Sequence, residues 1–251
     1  MKEKIFLFVS GVLIIIAVVV AIIIVNQGVF SVGNDEKYSV NNTQALPDSP
    51  IKGKTIIFLG SSVTYGATSE QDSFVDYLVK EDGITAVKEA VSGTTLVEGP
   101  KGSYIARMKR LSPDIKADLF ICQLSTNDAT KRKPLGEISE GFDEESFDTS
   151  TVAGAIEYII FYAKSTWNCP VAFYTGTQYK SERYGEMVSL LNEIAEKWDI
   201  DVIDLWNNSE MNAVSKEDYK LYMVNGIHPS RAGYKLWWTP VFREYLYEKL
   251  K

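Results

Sequence analysis

Short apolar runs and amphipathic stretches alternate along most of the chain. The apolar runs occupy residues 54–60, 84–91, 117–125, 169–177 and 200–206. Several of them are apolar at consecutive positions, as expected of strands buried on both faces of a parallel sheet. The pattern therefore predicts five β-strands.

Two of the intervening stretches have apolar residues at helical spacing. The first comprises Val152, Ala155, Ile156, Ile159, Ile160 and Ala163, and the second comprises Met187, Leu190, Leu191, Ile194, Ala195 and Trp198. We interpret both stripes as the core-facing sides of helices that cover the sheet. Strands that alternate with helices predict an α/β fold with a doubly wound, mostly parallel five-stranded sheet between helices.

The N-terminus has a different pattern, because an uncharged apolar run at residues 5–25 follows Lys2 and Lys4. The run is long enough to cross a bilayer as a helix. A cleaved signal peptide, the alternative, has a shorter apolar region and a cleavage site of small residues. The positive-inside rule leaves both lysines in the cytoplasm. The sequence thus predicts a single-pass cell-membrane protein with an extracytoplasmic domain.

Composition divides the chain into three predicted segments. Residues 1–25 form the cytoplasmic tip and transmembrane anchor, residues 26–53 a polar linker, and residues 54–251 one globular domain. The net charge of −7 argues against a nucleic-acid-binding protein, which usually presents a basic face. Cys122 and Cys169 lie in or beside apolar runs, so we expect buried free thiols, with a disulfide as the alternative.

Small and polar residues follow the predicted strands, where doubly wound sheets form their ligand sites. Residues 60–62 follow the first strand, 92–95 the second and 125–128 the third, and residues 225–234 precede the last helix. The chain's one histidine, His228, lies in the last of these segments. Its role is either catalytic or structural.

The turn after the first strand is a connection, a phosphate cradle or the site of a nucleophile. A dinucleotide site needs Gly-x-Gly-x-x-Gly, but Ser62 stands where the second glycine belongs, and the Lys-Ser/Thr pair of a P-loop is missing. A cradle of hydroxyls for a flavin phosphate stays open. A plain connection does not account for the matching polar residues after the later strands.

The sequence resembles the SGNH hydrolases, the esterases and acylhydrolases also called GDSL-like, from about residue 54 to the C-terminus. Residues 60–63 (Gly-Ser-Ser-Val) stand where the family has Gly-Asp-Ser-Leu, and Gly93 matches its second block. Residues 125–128 (Ser-Thr-Asn-Asp) match Gly-x-Asn-Asp, and residues 225–228 (Asn-Gly-Ile-His) match Asp-x-x-His. The resemblance implies a flavodoxin-like SGNH sandwich.

The resemblance also implies a role for each matching residue. Ser62 is the expected nucleophile, His228 the base and Asn225 the third member of the triad. The oxyanion hole is expected to consist of the Ser62 and Gly93 backbone N–H groups and the Asn127 side-chain amide. No metal and no cofactor are required. If its pKa is unperturbed, the histidine titrates near 6.5.

Asn225 departs from the family, which has aspartate at this position. An amide oxygen can accept a hydrogen bond from the histidine but supplies no negative charge. Either Asn225 orients His228 as it stands, or a carboxylate such as Asp128 or Asp204 substitutes, or the domain is weakened or inactive. The Asn225-Gly226 dipeptide is also prone to deamidation, which would create the aspartate.

The function that these features predict is a membrane-anchored extracytoplasmic serine esterase. Its expected partner, besides the membrane, is a small acyl ester, for example an O-acetyl group on a cell-envelope glycan. The alternatives are an O-acyltransferase of the same fold and a catalytically weakened domain that binds at the surface. The long aperiodic segment at residues 129–150 either covers the site or forms a solvated surface.

Overall fold

The computed structural model describes residue 12, residue 28, residues 31–97 and residues 102–251. The predicted transmembrane run at residues 5–25 lies outside the described residues, apart from Val12. Within the described part of the chain, no helix has the length and apolar character needed to cross a membrane.

Five parallel strands form one sheet, as the sequence predicts. They are β1 (Thr55–Gly60), β2 (Thr85–Ala90), β3 (Leu119–Gln123), β4 (Val171–Tyr174) and β5 (Asp201–Ile203). Their order in the sheet is β2-β1-β3-β4-β5, and every pairing is parallel. Strand order therefore reverses between β1 and β3, and the carboxyl ends of these two strands flank the crevice where ligands bind in such sheets.

Helices of very different length connect the strands. They are α1 (Ser62–Tyr65), α2 (Phe74–Asp82), α3 (Tyr104–Met108), α4 (Thr126–Thr130), α5 (Val152–Trp167), α6 (Glu182–Trp198), α7 (Lys216–Tyr222), α8 (Arg231–Gly233) and α9 (Thr239–Lys249). A π-helical turn at Tyr234–Trp238 joins α8 to α9. Short 3₁₀ turns lie at Val32–Asn34, Glu36–Tyr38, Val40–Asn42, Glu144–Ser146 and Met211–Ala213.

The core has two halves, one on each face of the sheet. Both helices predicted from apolar stripes, α5 and α6, pack in one half together with α3. On the other face, α2 and α9 meet through Phe74 and Phe242, whose stacked rings have centroids 3.9 Å apart. Cys122 and Cys169 are buried free thiols, as expected, and burial raises the pKa of Cys169 to about 11.

The described part of the predicted linker is packed against the domain. Its three 3₁₀ turns are capped by Ser31, Asp35 and Ser39, and each of these side chains accepts a hydrogen bond from the backbone N–H two residues later. Ile51 is fully buried among the residues of α2 and α9. Local capping and the burial of Ile51 thus order a stretch in which composition alone indicates a tether.

The segment at residues 129–150 lies mostly on α5 and α6. Fully buried Glu157 of α5 accepts hydrogen bonds from the Lys197 ammonium at 2.5 Å, the Ser139 N–H at 2.9 Å and the Trp198 indole at 3.1 Å. Lys197 also donates to the Ser139 carbonyl at 2.6 Å. This buried ion pair holds the middle of the segment against the two helices.

Candidate active site

Ser62 lies at the sharp turn between β1 and α1. Only Ser61 separates the strand from the helix, and its backbone has φ −122° and ψ −138°. A Cβ at Gly60 would collide with the Thr64 hydroxyl, so the tight turn requires glycine there. Ser62 is 7% exposed and begins the helix.

The side chain of Gln123, the last residue of β3, is hydrogen-bonded to this turn. Its side-chain oxygen accepts hydrogen bonds from the Ser61 N–H at 2.9 Å and the Thr64 hydroxyl at 2.8 Å. The Thr64 hydroxyl is in turn 2.6 Å from the Tyr174 hydroxyl. A buried network that spans β1, β3 and β4 therefore fixes the backbone on both sides of Ser62.

His228 reaches Ser62 from a loop near the other end of the chain. Its Nε2 atom lies 2.8 Å from the Ser62 Oγ. Backbone hydrogen bonds fix this loop. The Val224 N–H donates to the His228 carbonyl at 3.0 Å, and the Ser230 N–H donates to the Tyr222 carbonyl at 2.8 Å. The structure therefore brings together two residues that are far apart in the sequence.

Asn225 contacts the opposite side of the imidazole. Its Oδ1 atom is 3.0 Å from His228 Nδ1 and accepts hydrogen bonds from the backbone N–H groups of Ile227 and His228, both at 3.0 Å. Backbone N–H groups only donate, so the atom that faces them is the amide oxygen. The contact at Nδ1 then requires a proton on that nitrogen, which leaves the Nε2 lone pair for the Ser62 hydroxyl.

The electrostatic surroundings of His228 differ from the sequence expectation. Burial lowers the pKa of His228 from 6.5 to about 4, because the site disfavours the charged imidazolium. Neither carboxylate considered as a substitute contacts the histidine. Asp128 accepts from the backbone N–H groups of Leu96 and Val97, and Asp204 accepts from Thr175 and Asn207.

Hydrogen bonds connect the segment that carries Gly93 both to Asn127 and to the end of β1, where the Val91 N–H donates to the Gly60 carbonyl at 3.3 Å. Gly93 has φ +81°, and a Cβ there would meet open space, so its surroundings leave room for a ligand. The Asn127 amide donates to the Thr94 carbonyl at 2.9 Å. A primary amide has two N–H groups, so one remains for a substrate oxygen. The Lys131 ammonium donates to the Gly93 carbonyl at 2.7 Å, so the start of the 129–150 segment reaches the site.

Arg107 connects the turn at residues 60–63 to the segment at residues 92–95, a role that its sequence context did not predict. It is 2% exposed and donates to the Gly60 carbonyl at 2.8 Å, the Thr94 hydroxyl at 3.0 Å and the Glu89 carboxylate at 3.0 Å. Nothing in its sequence neighbourhood singles it out. Gln123, in contrast, is a polar residue at the end of an otherwise apolar strand, and that is a signal of a buried hydrogen-bonded role.

Comparison with known families fits this arrangement. The family model of the GDSL-like lipase/acylhydrolase family matches residues 58–236, which include Ser62, Gly93, Asn127 and His228. The chain belongs to the GDSL-like lipase/acylhydrolase family. No curated protein is significantly similar to the sequence. Membership supports ester hydrolysis by a serine at the level of the family, without specifying the substrate.

Solved structures of GDSL-like and related proteins share the fold. A protein from Lactobacillus plantarum is 18% identical, with a TM-score of 0.65 over 78% of this chain and 97% of that one. A member of the lipolytic G-D-S-L family from Veillonella parvula is 17% identical, with a TM-score of 0.56 over 76% and 97%. A family two carbohydrate esterase from Clostridium thermocellum, in complex with cellohexaose, is 14% identical, with a TM-score of 0.55 over 83% and 66%.

Proposed function

We propose that this protein is a serine ester hydrolase with Ser62 as nucleophile, His228 as base and Asn225 as the residue that orients the base. The observation that carries the proposal is the continuous chain of contacts from Asn225 Oδ1 to His228 Nδ1, at 3.0 Å, and from His228 Nε2 to Ser62 Oγ, at 2.8 Å. A serine hydroxyl becomes an effective nucleophile when a base at this distance accepts its proton.

The proposed reaction has two halves. Ser62 Oγ attacks the ester carbonyl carbon while its proton passes to His228 Nε2, and the carbonyl oxygen becomes an oxyanion next to the Gly93 and Asn127 donors. Collapse of this intermediate breaks the ester C–O bond, and His228 returns the proton to the departing alcohol. Water then attacks the acyl-serine with the same base, which releases the acid and restores Ser62.

Turnover of p-nitrophenyl acetate by the parent and by two variants tests the proposal. We expect Ser62→Ala and His228→Ala each to lower kcat by about 10³-fold or more, because each removes one half of the proton transfer. A surface-binding domain without activity would give no turnover in the parent. Product analysis with an added glycan separates hydrolysis from O-acyl transfer, since a transferase forms an acylated glycan in preference to the free acid.

We further propose that the enzyme is anchored by residues 5–25, with the domain outside the cell, and that it acts on small acyl esters, such as acetylated glycans, near the membrane. The supporting observation is the uncharged apolar run at residues 5–25, which follows two lysines and is long enough to cross a bilayer as a helix. Gly28, whose carbonyl accepts a hydrogen bond from the Asn34 amide at 2.8 Å, comes three positions after the end of this run, which is about 10 Å of extended chain. Resistance of the protein to carbonate extraction, with the domain accessible to added protease, tests this topology; release into the supernatant would refute it.

A further inference from the structure

Asn34 is a buried amide that joins three segments of the chain. Its nitrogen donates to the Gly28 carbonyl at 2.8 Å and to the Thr68 carbonyl at 2.7 Å, and its oxygen accepts from the Arg231 backbone N–H at 2.9 Å. Both N–H groups and the carbonyl oxygen of the side chain are therefore used.

Two of these segments carry the two halves of the proposed catalytic pair. Thr68 lies in the loop that follows α1, the helix that begins at Ser62. Arg231 begins α8, directly after the loop that carries His228. The Thr68 hydroxyl also donates to the Pro229 carbonyl at 3.0 Å. Asn34 and Thr68 together connect the loop that follows Ser62 and α1 to the residues that follow His228.

The Arg231 side chain forms a second link between the same segments. It makes ion pairs with Asp72 at 2.7 Å and Glu70 at 3.0 Å, both in the loop before α2, and with Glu36 at 3.2 Å. The guanidinium is almost fully buried, whereas Glu36 and Glu70 are largely exposed. The pairs with the exposed Glu36 and Glu70 contribute little, whereas the largely buried pair with Asp72 and the buried contacts of Asn34 both constrain the two loops.

We propose that Asn34 is a positioning residue for catalysis, whose amide maintains the contact between Ser62 Oγ and His228 Nε2 by holding their two loops together. This inference rests on the hydrolase function proposed above. A displacement of about 1 Å in a catalytic group can cost about 10²-fold in rate. Loss of the amide should therefore lower kcat and leave the binding of substrate nearly unchanged.

The test compares Asn34→Ala with Asn42→Ala in the full chain. Asn42 is a matched control: it lies in the same run of 3₁₀ turns and also donates from its amide to a backbone carbonyl, that of Glu36 at 2.8 Å, but it is exposed. We expect Asn34→Ala to lower kcat about 10–100-fold with little change in KM. Asn42→Ala should match the parent.

NMR of the imidazole provides a readout that a merely structural role would not change. Because His228 is the chain's one histidine, its imidazole signals are unambiguous. In the parent we expect a proton on Nδ1 and a pKa of about 4, and in Asn34→Ala a pKa closer to 6.5 because water enters a loosened site. If kcat and this pKa match those of Asn42→Ala while only the melting temperature falls, the proposal is wrong.

A second variant guards against failure of Asn34→Ala to fold. Asn34→Asp keeps the size of the side chain and the oxygen that accepts from Arg231 but removes both amide donors, and it should lower kcat several-fold by the same route; an unchanged kcat would overturn the proposal. A parent that turns over no ester would refute the hydrolase function itself. The NMR comparison would still decide whether Asn34 sets the environment of His228.

Discussion

Replacing Asn225 by aspartate adds a negative charge to a site whose geometry is already in place. The carboxylate of Asn225→Asp can accept the same three hydrogen bonds, including the one from His228 Nδ1 that now spans 3.0 Å. An opposite charge this close typically raises a histidine pKa by about 1–3 units. We therefore expect the pKa of His228 to rise from about 4 to about 5–7 in the variant.

The same shift sets the gain in rate. One pKa unit corresponds to about 1.4 kcal/mol, so the imidazolium gains about 1.4–4 kcal/mol. A transition state with a fully formed imidazolium would then be reached about 10–10³-fold faster. This gain is smaller than the roughly 10⁴-fold by which aspartate-to-asparagine slows a serine protease whose histidine takes the wrong tautomer. In this protein the backbone N–H groups of Ile227 and His228 already turn the amide oxygen of Asn225 toward the imidazole.

The assay is the pH dependence of kcat/KM, which reports the pKa of the base in the free enzyme. The neutral histidine is the active form, so activity falls as pH drops through its pKa: near pH 4 in the parent, and at a higher pH in Asn225→Asp. Asn168→Asp, which adds the same charge at the C-terminal cap of α5, is the control. Mass spectrometry must show that the parent is not deamidated at Asn225.

Two results would exclude the proposed role of Asn225. An acid limb that does not move in Asn225→Asp would mean that residue 225 does not face the imidazole in the working enzyme. A gain near 10⁴-fold would mean that the parent histidine takes the wrong tautomer, against the orientation of the amide described above.

Further predictions concern residues around the site and away from it. Asn225→Ala removes the acceptor at His228 Nδ1 and should lower kcat about 10²-fold or more with folding retained by circular dichroism; unchanged kcat would contradict the orienting role. Gln123→Leu leaves the buried Ser61 N–H and Thr64 hydroxyl without an acceptor. We expect the free energy of unfolding in urea to fall by about 2–4 kcal/mol, and kcat to fall with it. Glu157→Ala removes the carboxylate that pairs with the Lys197 ammonium and should lower the free energy of unfolding by about 3–5 kcal/mol. Turnover at low temperature should not change, since Glu157 lies on α5, away from Ser62. The parent should also lose stability as pH falls from about 6.5 toward 4, because the unfolded chain protonates its histidine while folded His228 stays neutral; His228→Asn should show less of this loss.

Strands and the long helices were predictable because their signals are local. The three central strands β1, β3 and β4 are short apolar runs, and the stripes in α5 and α6 have the helical period. The motifs after the strands were also predictable, since parallel strands bring their carboxyl ends to one edge of the sheet. This is how Ser62 and His228, distant in sequence, could be expected at one site.

Contacts that depend on side-chain packing across the fold were not predictable. Arg107 joins three segments by hydrogen bonds that no spacing in the sequence encodes. The depressed pKa of His228 follows from burial, which composition does not reveal. Residues 31–53 have the composition of a tether, but the described contacts of Asn34 and Ile51 depend on partners far along the chain.

Covalent labelling by a fluorophosphonate tests whether Ser62 is a nucleophile activated by His228. We expect the reagent to label the parent on the peptide that contains Ser62, Ser62→Ala to abolish the label, and His228→Ala to slow labelling by about 10³-fold or more. Labelling of Ser62→Ala at the rate of the parent would show that Ser62 is not the nucleophile.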